Sequence, residues 1–191
     1  MLDQDFLKRK QLISQKIIQQ LSELQWELKS WLGKSSFSFP EGLDLATGKI
    51  SRGEKYQDLP YYILDFPRLI QKEDVFSIRT MCWWGNEYSC TLHLQGKSKA
   101  LYQARLRENL DTLQNQDCFF CLGSTPWEYH FQKDNYQLLD DIPPEVVQAH
   151  LEGKEFFKIS RRLDLSQYNQ LTTFVENSLE IYLTFLDKRS T

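Results

Sequence analysis

The sequence lacks the short signatures that disclose a mechanism on sight. No G-x-G-x-x-G, P-loop, H-E-x-x-H, G-x-S-x-G or calcium-binding loop occurs. This sets aside the common nucleotide-binding, metalloprotease and serine-hydrolase readings. No run reaches the ~20 consecutive apolar residues of a membrane-spanning helix. The start, MLDQDFLKRKQL, has no apolar core of the signal-peptide kind. The end, Asp187 to Thr191, has no lipidation box. The expectation is a cytoplasmic protein with no membrane partner.

An excess of positive charge is also missing. The 26 acidic and 23 basic residues leave a net charge of −3, so a generally basic nucleic-acid binder is not expected. Arg161-Arg162 is a basic spot too small to track a phosphate backbone. Trp83-Trp84 runs into Gly, Asn and Glu rather than alternating with Lys and Arg, as base-stacking surfaces do. No nucleic-acid partner is predicted.

Histidine and cysteine are scarce, with only 3 and 4 copies. Cys82, Cys90, Cys118 and Cys121 sit in apolar stretches such as MCWWG and CFFCLG. In a reducing compartment they read as buried thiols that pack as small hydrophobes. Cys118 and Cys121 form a C-x-x-C, but a zinc site needs a second ligand pair at similar spacing. Residues three apart on a strand also point to opposite faces. No metal and no cofactor is predicted.

What is present is aromatic. Trp, Tyr and Phe number 5, 9 and 12, or 14% of 191 residues, within a 41% hydrophobic and 26% charged composition. That composition supports one globular domain with a sizeable core.

Residues 3–32 carry apolar side chains at Phe6, Ile13, Ile17, Leu21, Leu24, Leu28, Trp31 and Leu32, which predicts one long helix. Asp3 and Asp5 suit its N-terminus and Gly33 its stop. At 1.5 Å per residue such a helix is ~45 Å long, against the ~26 Å expected across a compact 100-residue domain. Part of it is therefore expected to project or to pair with a partner. Residues 34–59 read as a loop-rich connection with a short strand near Leu43.

The strand-rich middle begins with PYYILDFP, bounded by Pro60 and Pro67. VFSIRTMCWW and EYSCTLHLQ then flank Gly85-Asn86, a two-residue type II′ hairpin signature. That turn predicts Trp83 opposite Tyr88, Met81 opposite Cys90 and Arg79 opposite Leu92. Both resulting faces are substantially apolar, so both are covered or one lines a groove. Residues 99–116 predict a second helix with Leu101, Leu106, Leu110 and Leu113 inward. CFFCLG and TPWEYHFQ predict two further strands. Pro144 to Leu151 gives a short helix, KEFFKISRRLDL a last strand, and Ser166 to Asp187 a final helix.

The expected fold class is α+β, with a mostly antiparallel sheet flanked by long N-terminal and C-terminal helices. The expected organisation is one domain over residues 1–191. Residues 1–33 form the N-terminal helix, 34–165 the strand-rich core and 166–187 the C-terminal helix.

The polar residues set among the aromatic strands are the functional candidates. Arg79 lies mid-strand in line with Met81 and Trp83, where an unpaired charge is costly. It either clamps an anionic ligand or pairs with Asp65 or Glu54. Arg52, in the polar segment Ser51 to Tyr56, is a second anion-binding candidate. Tyr61, Trp83, Trp84 and Tyr88 combine apolar bodies with polar tips, as ligand pockets do. Glu128 and His130 at i, i+2 on one strand face suit a carboxylate-oriented base, and His93 is a second candidate base. The leading expectation is a small-molecule binder for an anionic or aromatic ligand, in an aromatic-lined pocket beside the sheet. The alternatives are an enzyme with a His base and an Arg clamp, and a homodimeric interaction or scaffold protein using the N-terminal helix.

Overall fold

The chain opens on a capped helix. Asp3 Oδ1 accepts hydrogen bonds from the amides of Asp5 and Phe6 at 3.0 and 3.2 Å, satisfying two donors that a helix start leaves free. In this computed structural model, which describes residues 3–187, the helix α1 runs from Gln4–Leu32. Met1, Leu2 and residues 188–191, parts of the segments read for targeting and lipidation signals, lie outside the described residues. Ile17, Leu21, Leu24, Leu28 and Leu32 are buried, while Phe6 and Ile13 on the same predicted stripe are exposed. The first half of α1 thus runs past the core. Gly33 ends the helix in a right-handed conformation rather than the left-handed one expected of a glycine stop.

Seven strands follow: β1 (Lys49–Tyr56), β2 (Leu59–Ile70), β3 (Val75–Trp83), β4 (Glu87–Gln95), β5 (Phe119–Cys121), β6 (Tyr136–Leu138) and β7 (Phe156–Asp164). They form one antiparallel sheet in the order β1-β2-β3-β4-β7-β5-β6. The helices α2 (Gly96–Glu108), α3 (Pro144–Gly153) and α4 (Leu171–Leu186) complete the α+β architecture. Leu24 and Leu28 of α1, Tyr102 and Leu106 of α2 and Val175 and Leu179 of α4 join the sheet residues Leu64, Phe76, Ile78 and Leu92 in one core. No helix is long and apolar enough to cross a membrane among the described residues.

Several sequence expectations change. The stretch 34–59 is not wholly a loop: β1 is an edge strand, and near Leu43 only an isolated Asp44–Arg68 bridge forms. Edge strands carry charge and lack a clean alternation, which hides them from pattern reading. The ring of Tyr61 lies over Gly53, where a Cβ would meet it at 2.5 Å. β2 runs through both of the prolines that were expected to bound it, and the register shift between Asp65 and Arg68 accommodates Pro67.

The β3–β4 hairpin is slipped by one residue from the expected register. Cys82 pairs with Tyr88, Met81 with Ser89 and Arg79 with Thr91. The loop has three residues, Trp84-Gly85-Asn86, closed by the Asn86 amide on the Trp83 carbonyl at 3.1 Å. Gly85 takes a φ of 71°, which a turn of this kind requires at its third position. A one-residue slip moves a whole strand's side chains to the other face. Tyr88, Cys90, Leu92 and Leu94 therefore join Phe76, Ile78 and Cys82 under the helices, while Ser89, Thr91 and His93 join Arg79, Met81 and Trp83 behind.

The segment TPWEYHFQ is no strand. The consecutive amides of Tyr129 and His130 both donate to one oxygen, Tyr56 Oη, whereas consecutive amides of a strand point apart. Residues 122–135 instead form a strap over the back of the sheet. The second helix ends at Glu108 and continues as a 3-10 turn over Leu110–Leu113. Leu101 is exposed and Tyr102 takes the inward place.

Candidate functional site

The candidate residues divide between the two faces of the sheet. On the back, Arg79 meets Asp65 of the neighbouring strand through Nε–Oδ1 at 2.6 Å and Nη2–Oδ2 at 2.9 Å, and its Nη1 donates to Tyr129 Oη at 2.7 Å. Ser77 also donates to Asp65. Burial works against the Arg79 charge, but Tyr129 and Asp65 outweigh it and hold its pKa above the ordinary value. Of the two carboxylates weighed as partners, Asp65 forms the pair, and Glu54 instead meets Lys10 of α1 at 2.6 Å.

Beside this pair stand two further buried basic groups, Lys158 and His93, aligned as cross-strand partners. The Lys158 ammonium donates to the carbonyls of Pro126 (2.9 Å) and Glu128, and lies 4.2 Å from the Tyr129 ring centre. Burial pushes its pKa down to about 8. Burial, with the Lys158 and Arg79 charges adding, pushes His93 down to about 3, so it is neutral. The His93 ring packs edge-on against Trp127 and Phe156. Sequence reading missed Lys158, because a lysine in KEFFKISRR gives no sign of burial.

Glu128 is not the partner of His130. With two backbone amides donating to Tyr56 Oη, the phenol proton goes to His130 Nδ1 at 2.9 Å. This assigns the remaining proton to Nε2, which faces Asp134 Oδ1 at 3.4 Å without the alignment of a hydrogen bond. Tyr61 and Trp83 line this side with Tyr56. Arg52 is exposed on β1, aligned with Tyr62 on the helix-covered face and apart from Arg79. The back therefore holds a filled polar layer locked under the strap.

Trp84 and Tyr88 lie on the other side, in an open groove of about 740 Å³ bounded by α1, the hairpin tip and the 3-10 turn Leu165–Gln170. That volume falls within the ~300–1,000 Å³ typical of ligand pockets. Ile13, Ile17, Leu165 and Tyr168 supply apolar wall, and Cys82 lies at its base. The Gln20 amide ties the three walls together: Oε1 accepts from Tyr88 Oη at 2.8 Å, and Nε2 donates to the Tyr168 carbonyl at 2.6 Å. Trp84 stacks on Tyr62 with centroids 6.3 Å apart, and its indole N–H is inaccessible and has no acceptor among the described residues. Lys16 and Glu23 also line the groove. Tyr168, Gln20 and Ile13 were not foreseen as site residues, since the Gln20–Tyr168 contact spans 148 positions.

All four cysteines are buried free thiols, and burial pushes Cys82 up to about 11 and Cys90 and Cys118 up to about 12. No family model matches the chain, and no curated protein or solved structure matches it either.

Proposed function

We propose that the groove between α1 and the hairpin tip binds a small planar aromatic molecule. The observation that supports this reading best is Trp84. Its ring lines a groove of ligand size whose wall is largely apolar, from Ile13, Ile17, Leu165 and Tyr168. A flat apolar ligand removes the accessible part of that ring and the aliphatic wall from water. Tyr88, bonded to Gln20, ties the hairpin to α1 on this side. The aromatic part of the sequence expectation is favoured over the anionic part, because Arg79 is engaged by Asp65 and Tyr129 on the other face of the sheet. Four buried free thiols suit a reducing compartment such as the cytoplasm.

The test is a thermal-shift and calorimetric screen with benzoate, indole-3-carboxylate, quinoline and adenine. At least one is expected to raise the melting temperature. Trp84→Ala is expected to abolish that response. Trp84→Phe, which keeps an aromatic ring, is expected to retain binding to within about tenfold. No response from the wild type, or equal binding by Trp84→Ala, overturns the reading.

A further inference from the structure

Leu12, Gln19 and Trp26 recur every seven residues and so form one line along α1. At 3.6 residues per turn that line runs on the far side of the helix from Leu21 and Leu28, which are buried in the core. Leu12 is 57% exposed and Trp26 69%. They stand level on either side of Gln19, each ~10.5 Å from it along the axis.

We propose that this ridge pairs with the same ridge of a second copy of the chain, antiparallel and two-fold symmetric about Gln19. A two-fold interface requires a surface complementary to itself, and this ridge is one. Turning a second α1 about Gln19 lays Leu12 on the partner's Trp26, and Trp26 on the partner's Leu12. Neither apolar side chain then remains in water.

The charges follow the same symmetry. Arg9 and Lys16 flank Leu12, whereas Glu23 and Glu27 flank Trp26, and all four are exposed. Among the described residues none of the four forms an ion pair within its own chain. In the paired helices Lys16 comes within ~1.5 Å axially of the partner's Glu23, and Arg9 within ~3 Å of the partner's Glu27. Both pairs lie on one side of the seam. Glu23 and Glu27, four residues apart, repel each other on a lone helix, and the partner's cations relieve that repulsion. The expected contact is not the Phe6 end but the middle of the helix. Lys16, Gln19 and Glu23 also line the groove, so the second copy walls its open side. Trp84 stands on the hairpin tip, and ligand binding is therefore read separately from pairing.

Sedimentation equilibrium on the full chain tests the pairing. The wild type is expected to reach twice 22.7 kDa with a concentration-dependent mass. Trp26→Asp is expected to be monomeric with an unchanged circular-dichroism spectrum. Lys16→Glu alone is expected to raise the dimer Kd about tenfold or more, and Lys16→Glu with Glu23→Lys to return it to within about threefold of wild type. A wild type that stays monomeric to ~100 µM, corresponding to less than about 5.5 kcal/mol of association, overturns the proposal and leaves the ridge to another occupant. A Trp26→Asp variant that still dimerises, or a charge exchange that fails to restore pairing, overturns it equally.

Discussion

Arg79 and Asp65 are cross-strand partners in β3 and β2, joined by two parallel hydrogen bonds at 2.6 and 2.9 Å behind the sheet. The bidentate geometry suits a planar guanidinium facing a carboxylate. Tyr129 Oη takes a third donor of the same arginine, so the pair also fixes the strap.

The pair makes a directional prediction. Arg79→Ala leaves the Asp65 carboxylate buried without its cation and should cost ~3–5 kcal/mol in urea unfolding. Replacing both partners, Arg79→Met with Asp65→Leu, removes the stranded charge and should recover most of that loss. A double variant as unstable as the single one would show that the pair contributes more than mutual neutralisation.

Tyr56 gives a second prediction. Its hydroxyl accepts from two successive strap amides and donates to His130. Tyr56→Phe keeps the ring against Trp83 but leaves those amides without an acceptor, at about 1–3 kcal/mol for each group that stays dry. The expected readout is faster hydrogen exchange at Tyr129 and His130, with exchange in β3 and β4 unchanged. Unchanged exchange at Tyr129 would show that the strap is held by Lys158 and Asn135 instead.

The residues explain what the sequence made legible. α1, α3 and α4 were readable from helical apolar spacing and β7 from a compact apolar run, although the final helix, expected from Ser166, begins at Leu171 after the 3-10 turn Leu165–Gln170. The hairpin was readable as a hairpin but not in its register. Both of its faces are apolar, so the pattern gave no penalty for a one-residue slip, and Gly85 is compatible with either turn. The site failed at the same point, because the slip decides that Tyr88 lies under the helices and Ser89 behind the sheet. Lys158 and Tyr56 were illegible for another reason. Their roles come from backbone carbonyls and amides of a strap whose path no local pattern encodes.

The thiols supply a third prediction. Burial raises the pKa of all four cysteines above the ordinary thiol value, so little reactive thiolate forms at neutral pH. Native protein at pH 7.5 should react slowly with a disulfide reagent such as DTNB, and all four sites should react at once in urea. A fast phase of two equivalents in the native protein would indicate an open Cys118–Cys121 pair and restore a redox reading of the C-x-x-C.

The stability profile against pH should be asymmetric, with His93 owning much of the acid side. In the unfolded chain its imidazole takes up a proton near pH 6.5. In the folded protein burial, with Lys158 and Arg79 adding, pushes that uptake down to about pH 3. Between these values the unfolded state binds more protons, so stability falls as the pH falls. Integrated from pH 7 to pH 5, the loss from His93 alone is about 2 kcal/mol. His150, also lowered by burial, to about 4, acts in the same direction. Below about pH 4 Asp44, lowered to about 2 chiefly by the Thr47 hydroxyl and amide, adds its own loss. On the alkaline side two effects oppose each other. The folded pKa of Lys158, about 8, lies below the unfolded 10.5, so between these values its share of stability rises with pH. The four buried thiols keep protons in the folded state that the unfolded chain releases from about pH 8.5, and their combined loss outweighs that gain. Urea unfolding at pH 5, 6, 7 and 9 measures the profile. His93→Phe keeps the ring packing against Trp127 and Phe156 and should flatten the acid limb by about 2 kcal/mol between pH 7 and pH 5. An acid limb equally steep in that variant would show that His93 takes its proton in the folded state.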